Sequence, residues 1–600
     1  MPLVGIPVER LRQLVGRELD RDELRRALEN LGNDVEGYAR VLRYRCGRCG
    51  YVTEVLEHED FNKQCAGCGA ADPEPAGSTD VIRIDLLPVR PDMFDAAGLA
   101  RALRGFLGIE TGLPCWSLGA SGYRIDVAPG MADIRPFIVG AVVRGLELGD
   151  EGLRTLMKMQ ENLHWALGRD RKRASIGVYD LATVTPGFSF RPVGPEELRF
   201  VPLFGLPDDP KAELTPKEIL EKHPKGVAYA RLLEGLGRYP LLVDSGGRVL
   251  SMPPIINSDG TRVTERTRDV LIDVTGPDRN AIHRCLNVIV TALADTGGRV
   301  ETVDVRYPDG TTEKTPDLAP AARTLDPAEA RRVLGLELDA GQVAGLLRRM
   351  RYGAEPRDGK VAVEIPAYRS DILHEWDVIE DIAIGYGYPD IRPRLVPTMT
   401  VSRAQPIEEL SETARRVLVG SGLYEVMTGI LVSEREQYGS MRLDEAAHVT
   451  LENPASVDET MVRPSLLPGI LATFRENSTR EMPQQVFECQ DVYVPDPGAE
   501  TGVNTGRNVG VGLTGPKASF ADGRALAAAL ARELGAEAGF SRATHPSFIP
   551  GRCARVSVMR NGREQDWGIL GEVHPEVLVS FNISQPVVVF EVGLDLFMEA

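Results

Sequence analysis

Apolar positions recur with a helical period in some stretches of the chain and alternate in others. Residues 7–31 read as two short amphipathic helices; in the second, Leu24, Ala27, Leu28 and Leu31 form one apolar stripe and Gly32 is the stop. Residues 80–86, DVIRIDL, alternate, which predicts a half-buried strand with Ile82, Ile84 and Leu86 on one face. A third helix follows RPDMFD, with Leu99, Ala100, Leu103, Phe106 and Leu107 aligned and Gly108 at its end. VLIDVTG (270–276) reads as a core strand, and PPIINSDGTRV (253–263) as a strand and turn opening onto a pocket. Two more short helices begin at residue 324, followed by the strand KVAVEIPAY; this repeats the order of residues 7–31 and 80–86 and suggests a weak internal duplication. The last third carries helices around 407–422 and 465–477, then strands such as VFECQDVYV (486–494).

Length and charge narrow the class. Six hundred residues predict roughly four domains of about 150 each. The 43% hydrophobic and 26% charged fractions are those of a globular protein. A net charge of −18 argues against a protein that coats nucleic acid non-specifically. The clearest basic run, RDRKR at 169–173, reads as a solvated face. MPLVGIPVERLRQ has no long apolar segment, and the run near Leu286–Ala294 is too short to span a bilayer, so a cytoplasmic chain without a membrane partner is expected.

Of the eight cysteines, Cys115, Cys285, Cys489 and Cys553 are scattered and read as small buried residues. The other four, Cys46, Cys49, Cys65 and Cys68, form C-x₂-C-x₁₅-C-x₂-C with a glycine after each pair. Each Cys-x-x-Cys lets two thiolates bind one ion from a tight turn, and two such turns complete a tetrahedral site. The expectation is a structural zinc ribbon inserted at about residues 41–75. Disulfides are disfavoured in a cytosolic chain. Four protein ligands leave no open position for catalysis.

Residues 364–388, EIPAYRSDILHEWDVIEDIAIGYGY, place Asp371, Asp377, Glu380 and Asp381 within eleven positions. If Asp377 begins a helix, Glu380 and Asp381 share its face, and Asp371 can swing over it from the entering loop. Such an oxygen-only cluster suits a hard cation such as Mg²⁺. The same spacing also suits an acidic first turn favoured by the helix dipole, with Asp371 or Ser370 as the cap.

PAYRSDILHEWDVIEDIAIGYGY resembles the P-x-Y-R-x-D-I-x-H-x-x-D-x-I-E-D-x-A-x-x-Y-G-Y signature of the β subunit of phenylalanyl-tRNA synthetase, in its archaeal or eukaryotic form. VRPDMFDAAGLARALRGFLG, MQENLHWALGRDRKRASIGVYDL, RFVPL, NPASVDETMVRPSLLPGILATFRENSTR, HPSFIPGRCARV and GILGEVHPEVLVSFNISQPVVVFEVGL are similar to further segments of that family, in the same order. The resemblance implies an α+β multidomain fold: an N-terminal α/β unit over 1–115, an α/β editing domain over 120–320, and a winged-helix-like domain over 324–395. Over 400–600 it implies a class II synthetase-like antiparallel sheet domain that is catalytically inactive. It assigns Asp371, Asp377, Glu380 and Asp381 to Mg²⁺. It also implies an α subunit that carries ATP-dependent aminoacylation, an (αβ)₂ heterotetramer and binding of tRNA(Phe). In agreement, the chain shows no P-loop and no nucleotide signature, and Arg463 alone is not an ATP site. The zinc ribbon departs from most members of the family, and its role stays open between RNA contact, partner contact and a stabilising clip.

The implied chemistry has a physical logic. An apolar slot built for phenylalanine rejects an added hydroxyl only weakly, by about 10², so tyrosine leaks through. A second site that hydrogen-bonds the phenol selects tyrosine, because phenylalanine would leave its buried polar groups unpaired. By resemblance, Leu242, Ser251 and Asp273 take the tyrosine side, Ser251 and Asp273 meeting the phenol or the amino group, and Gln160, Arg171 and Asn257 hold the tRNA terminus or the water. A polar cavity sized for a phenol is therefore expected. Read without the resemblance, Ser251 and Asn257 are turn residues, Asp273 a strand-edge charge and Arg171 a solvated one. No Ser-His-Asp or Cys-His pattern marks this unit, which leaves a positioned water; His164 is a lone histidine.

Overall fold

The computed structural model describes residues 3–48, 51–65, 70–85, 88–560 and 562–598, in two compact units that divide between Arg394 and Leu395.

The first unit opens with strand β1 (Leu3–Pro7), helices α1 (Val8–Val15) and α2 (Arg21–Asn30), strands β2 (Asp34–Arg45), β3 (Val52–Leu56) and β4 (Glu74–Asp85), and helix α3 (Ala96–Phe106). Local chemistry sets the boundaries. Asp20 caps α2 by accepting from the Glu23 amide at 2.7 Å, and Asp95 caps α3 by accepting from Ala97 and Gly98. The stripe Leu24, Ala27, Leu28 and Leu31 is buried, as are Ile82 and Ile84; Leu86 lies outside the described residues. The antiparallel sheet runs β1-β4-β2-β3.

Next come β5 (Gly119–Val127), β6 (Phe137–Arg144), α4 (Gly149–Trp165), β7 (Ser175–Asp180), β8 (Phe188–Val193), α5 (Pro216–Lys222), α6 (Pro224–Tyr229), β9 (Tyr239–Asp244), β10 (Val249–Met252), β11 (Ile256–Asn257), β12 (Val270–Gly276), α7 (Arg279–Asp295), β13 (Arg299–Arg306) and β14 (Thr312–Thr315). One sheet holds all these strands, along the path β11-β10-β9-β8-β5-β13-β6-β12-β7, with β14 paired to β13. VLIDVTG is its fully buried strand β12. The path ends at β11 on one side and β7 on the other, and each end strand has a ladder on one edge only.

The unit closes with β15 (Ala321–Leu325), α8 (Pro327–Leu334), α9 (Ala340–Arg349), β16 (Gly353–Arg357), β17 (Lys360–Ile365) and α10 (Glu375–Tyr386). Its sheet order, β15-β17-β16, repeats β1-β4-β2, so the duplication legible in the sequence extends to strand topology. The entry to the last helix matches too. Arg90 grips Asp92 through two bonds of 2.9 and 2.8 Å, and Arg369 grips Asp371 through two of 2.8 and 2.6 Å.

The second unit has α11 (Pro406–Gly420), β18 (Tyr424–Glu425), the paired β19 (Leu431–Val432) and β20 (Met461–Val462), and α12 (Leu467–Glu476). There follow β21 (Gln484–Pro495), β22 (Val503–Thr514), α13 (Phe520–Glu533), β23 (Glu537–Arg542), β24 (Phe548–Arg560), β25 (Arg563–Val573), α14 (Pro575–Ser580) and β26 (Val587–Gly593). Its main sheet runs β18-β21-β22-β26-β25-β24-β23, antiparallel apart from the β18–β21 edge. Arg463 is buried and bonded at 2.8 Å to Glu488, itself fully buried, so it is an internal tie between loop and sheet. Cys285, Cys489 and Cys553 are buried as expected; Cys115 instead lies exposed in the link before β5. Among the described residues no helix is long and apolar enough to cross a membrane.

Candidate functional site

The large sheet curls until its two ends face each other, and side chains close the gap that no backbone ladder bridges. The Asn257 side-chain amide on β11 donates to the Val178 carbonyl on β7 at 3.4 Å. The Tyr179 phenol oxygen on β7 lies 2.7 Å from Ser251 Oγ on β10 and is also hydrogen-bonded to Asp273 Oδ1 on β12. The phenol has one proton, so when Asp273 accepts it the Ser251 hydroxyl donates to the phenol oxygen. Arg171 spans the same seam from the loop after α4, donating to the Ile255 carbonyl at 2.9 Å and to both Glu161 oxygens. Gln160 on α4 anchors β7 by donating to the Ile176 carbonyl at 2.6 Å. Leu242 on β9, paired in register with Ser251, packs in the same apolar cluster as Tyr179.

The six residues singled out from the sequence therefore meet at one seam, although they come from β9 to β12, α4 and its following loop. Asn257 is half-buried and the other five are buried, Ser251 to 2% and Asp273 to 1% exposure. That corrects the bland readings. Asp273 is not a strand-edge charge, since β12 is an interior strand, and Arg171 is not solvated. The run RDRKR is a tight turn in which Arg169, Asp170 and Arg171 all take positive φ (46°, 53° and 65°), which turns one arginine inward.

The electrostatics of the seam turn on Asp273, which lacks a direct cationic partner among the described residues. Burial pushes the Asp273 carboxyl up to about 7, against the Tyr179 hydrogen bond and the more distant charge of Arg135, which pull it down. Burial, then the neighbouring Asp273, raises the Tyr179 phenol well above its ordinary value. Among the described residues no lysine or arginine forms an ion pair with Asp273. Burial also opposes charge on Glu161 at the rim, but His164, Arg171 and Lys225 hold its carboxyl well below the usual range. His164 is no base here: its Nε2 accepts the Ile176 amide at 2.7 Å, so its lone pair is used in holding β7. Arg135 braces the floor, donating to Thr275 and Ser175.

One expectation is corrected in detail. The polar groups for a phenol are in place, but they are already bonded to the chain's own Tyr179, which is 0% exposed. Sequence reasoning missed Tyr179, Glu161 and Arg135. In SIGVYD the tyrosine is a lone phenol in a largely buried strand, a signal that only its distant partners explain.

The acidic first turn is present, but its cap is a different residue. Helix α10 begins at Glu375, and its cap is His374, not Asp371 or Ser370. Asp377 reaches back to accept from the Leu373 and His374 amides, both at 2.7 Å. Asp371 and Asp381 both accept from Arg369, at 2.6 Å, and Asp381 also accepts from the Tyr352 phenol. Glu380 stands beside them with its carboxyl raised by burial and by the charges of Asp381, Asp377 and Asp371. Among the described residues no three His, Cys, Asp or Glu side chains converge to hold a metal. The donors are nonetheless of the right kind for Mg²⁺, and the crowding at Glu380 is what a divalent cation relieves.

In the cysteine insertion, Cys46 and Cys65 are buried, while Cys49 and Cys68 lie outside the described residues. The two first cysteines share a backbone device: the Cys46 amide donates to the Tyr51 carbonyl at 2.9 Å and the Cys65 amide to the Ala70 carbonyl at 2.8 Å.

Comparison with known proteins places this architecture. The phenylalanyl tRNA synthetase beta chain CLM domain family matches residues 391–594, and the tRNA synthetase B5 domain family matches residues 323–388. The phenylalanine–tRNA ligase beta subunit of Archaeoglobus fulgidus is 41% identical over 87% of this chain and 92% of its own. That of Methanospirillum hungatei is 36% identical over 99% of this chain and 98% of its own. The crystal structure of an N-terminal fragment of the phenylalanyl-tRNA synthetase beta-subunit from Pyrococcus horikoshii aligns with a TM-score of 0.55 at 34% identity, covering 64% of this chain and 99% of that one. With relatives of this identity matched over most of both lengths, the chain belongs to the phenylalanine–tRNA ligase β-subunit family.

Proposed function

We propose that this chain works as the β subunit of a phenylalanine–tRNA ligase, paired with an α subunit in an (αβ)₂ heterotetramer in the cytoplasm. The α subunit carries the ATP-dependent attachment of phenylalanine to tRNA(Phe). The β chain contributes tRNA contacts and hydrolyses mischarged Tyr-tRNA(Phe) at the seam. The observation that carries the editing role is the buried Ser251–Asp273 pair, which is already hydrogen-bonded to a phenol. A tyrosyl group brings such a phenol and a phenylalanyl group does not, so the pair sorts the two by whether its own buried polar atoms are satisfied. Leu242 would line the ring, and Gln160, Arg171 and Asn257 would hold the tRNA terminus or the attacking water. The water is activated by the substrate's own hydroxyl, since His164 is committed to the backbone of β7.

Two metals belong to the same reading. Mg²⁺ would be held by Asp371, Asp377, Glu380 and Asp381 as a structural ion, and Zn²⁺ by Cys46, Cys49, Cys65 and Cys68 as a structural clip. The test of the central claim uses the αβ complex. Ser251→Ala or Asp273→Asn should lower clearance of Tyr-tRNA(Phe) at least about tenfold, the worth of one hydrogen bond to a buried group, and leave charging with phenylalanine unchanged. Unchanged clearance removes these residues from the site.

A further inference from the structure

We propose that Tyr179 is an exchangeable internal occupant of the phenol site, which every entering group must displace and which a tyrosyl group replaces in kind. The proposal rests on the editing reading above and concerns a residue to which that reading assigns no role.

Three observations support it. First, the polar atoms that would recognise a tyrosyl phenol, Ser251 Oγ and Asp273 Oδ1, are both bonded to the phenol of Tyr179, which is 0% exposed. Second, the fit is built in. Tyr179 lies two residues beyond Gly177, which stands opposite Asp273 in the β7–β12 ladder. The phenol reaches back over Gly177 so closely that a Cβ there would collide with both the phenol oxygen and the Asp273 carboxylate. Third, the enclosure has a weak side. No backbone ladder joins β7 to β10 and β11; the gap is spanned by side chains, among them the Asn257 bond at 3.4 Å, near the limit of a hydrogen bond. Rotation of the Tyr179 side chain alone leaves β7 in its ladder with β12, where Tyr179 pairs with Leu271.

The energetic consequence is asymmetric. A tyrosyl group that displaces Tyr179 exchanges one phenol for another, and Ser251 and Asp273 end as well satisfied as they began. A phenylalanyl group that did so would leave both without a partner in a buried site. Tyr179 thus raises the threshold for entry, and the discrimination stays with the two groups it covers. Its hydroxyl lowers the occupancy of the site by every substrate equally, while the ratio between tyrosyl and phenylalanyl groups stays with Ser251 and Asp273.

Tyr179→Phe in the αβ complex keeps the ring and removes the phenol. Clearance of Tyr-tRNA(Phe) and of Phe-tRNA(Phe) should both show KM lowered about tenfold, one hydrogen bond's worth, with kcat within about twofold and the ratio of the two substrates unchanged. Unaltered KM for both substrates, or a fall in kcat, overturns the proposal, the latter by making Tyr179 part of the machinery or a brace. A second measurement separates this claim from the editing reading. In the complex labelled with 3-fluorotyrosine, the ¹⁹F resonance lost in Tyr179→Phe identifies residue 179. It should shift on adding a non-hydrolysable 3′-amide-linked tyrosyl adenosine and stay in place with the phenylalanyl analogue. A shift in a complex that clears no Tyr-tRNA upholds the occupant and sinks the editing reading; no shift with the tyrosyl analogue sinks the occupant.

Discussion

The first unit buries a tyrosine–aspartate pair twice, and the two pairs differ by one cation. At the acidic turn Tyr352 donates to Asp381, and the Arg369 guanidinium bonds to the same carboxylate oxygen at 2.6 Å. At the seam Tyr179 donates to Asp273, and no arginine or lysine pairs with that carboxylate among the described residues. The cation makes the first pair a brace: two carboxylates, one guanidinium and a phenol, locked between β16, β17 and α10. Without one, the second pair is held by hydrogen bonds alone, and its carboxyl is displaced to about 7.

The largest effect that tests this contrast is at the brace. Arg369→Met leaves Asp371 and Asp381 buried without their cation and should destabilise the first unit by about 3–5 kcal/mol in denaturant unfolding. A loss below about 1 kcal/mol would show that the guanidinium is not what holds the turn.

The seam should respond through pH. Burial raises the Asp273 carboxyl from 3.8 to about 7, so the folded unit holds this proton more tightly than the unfolded chain does. The stabilisation is present at low pH and is lost as pH rises from about 4 to about 7, by as much as roughly 4 kcal/mol at 1.36 per unit. Asp273→Asn should flatten that part of the stability–pH curve, read by thermal unfolding of the complex. Arg369→Met should leave it in place. An identical slope in wild type and Asp273→Asn would remove the titration from the seam.

A smaller effect sharpens the metal assignment. If Mg²⁺ relieves the crowding at Glu380, adding it at ten times its dissociation constant should stabilise the fold by about 1.4 kcal/mol, and Glu380→Gln should abolish the gain. Equal stabilisation of both proteins would place the ion elsewhere. The smallest is at the helix start. Asp377→Ala removes the acceptor for the Leu373 and His374 amides and should cost about 1 kcal/mol of thermal stability without altering the pH response of the seam.

The duplicated units show why some of this was legible beforehand. The stripes Leu24–Leu31 and Leu99–Phe106, and the stops at Gly32 and Gly108, are local signals, set by side chains within a turn or two of each other. The same holds for the VLIDVTG strand and for the closely spaced carboxylates before α10. The cap of α10 was misplaced because several polar side chains in that loop could serve, and the choice of His374 with Asp377 depends on Asp371 being drawn to Arg369.

What the sequence determined by itself was the run of helices and strands, the doubled unit and the family's motifs in their order, because each is written in neighbouring residues. Only the tertiary structure decided that Arg171 turns inward, that Asp273 is left without a cation, and that the Tyr179 phenol bonds to both Ser251 and Asp273. Those facts join residues some 70 to 95 positions apart across a seam with no backbone ladder, as in the Tyr179 bonds to Ser251 and Asp273. Burial and partnership there are properties of the closed sheet, which no window along the chain contains.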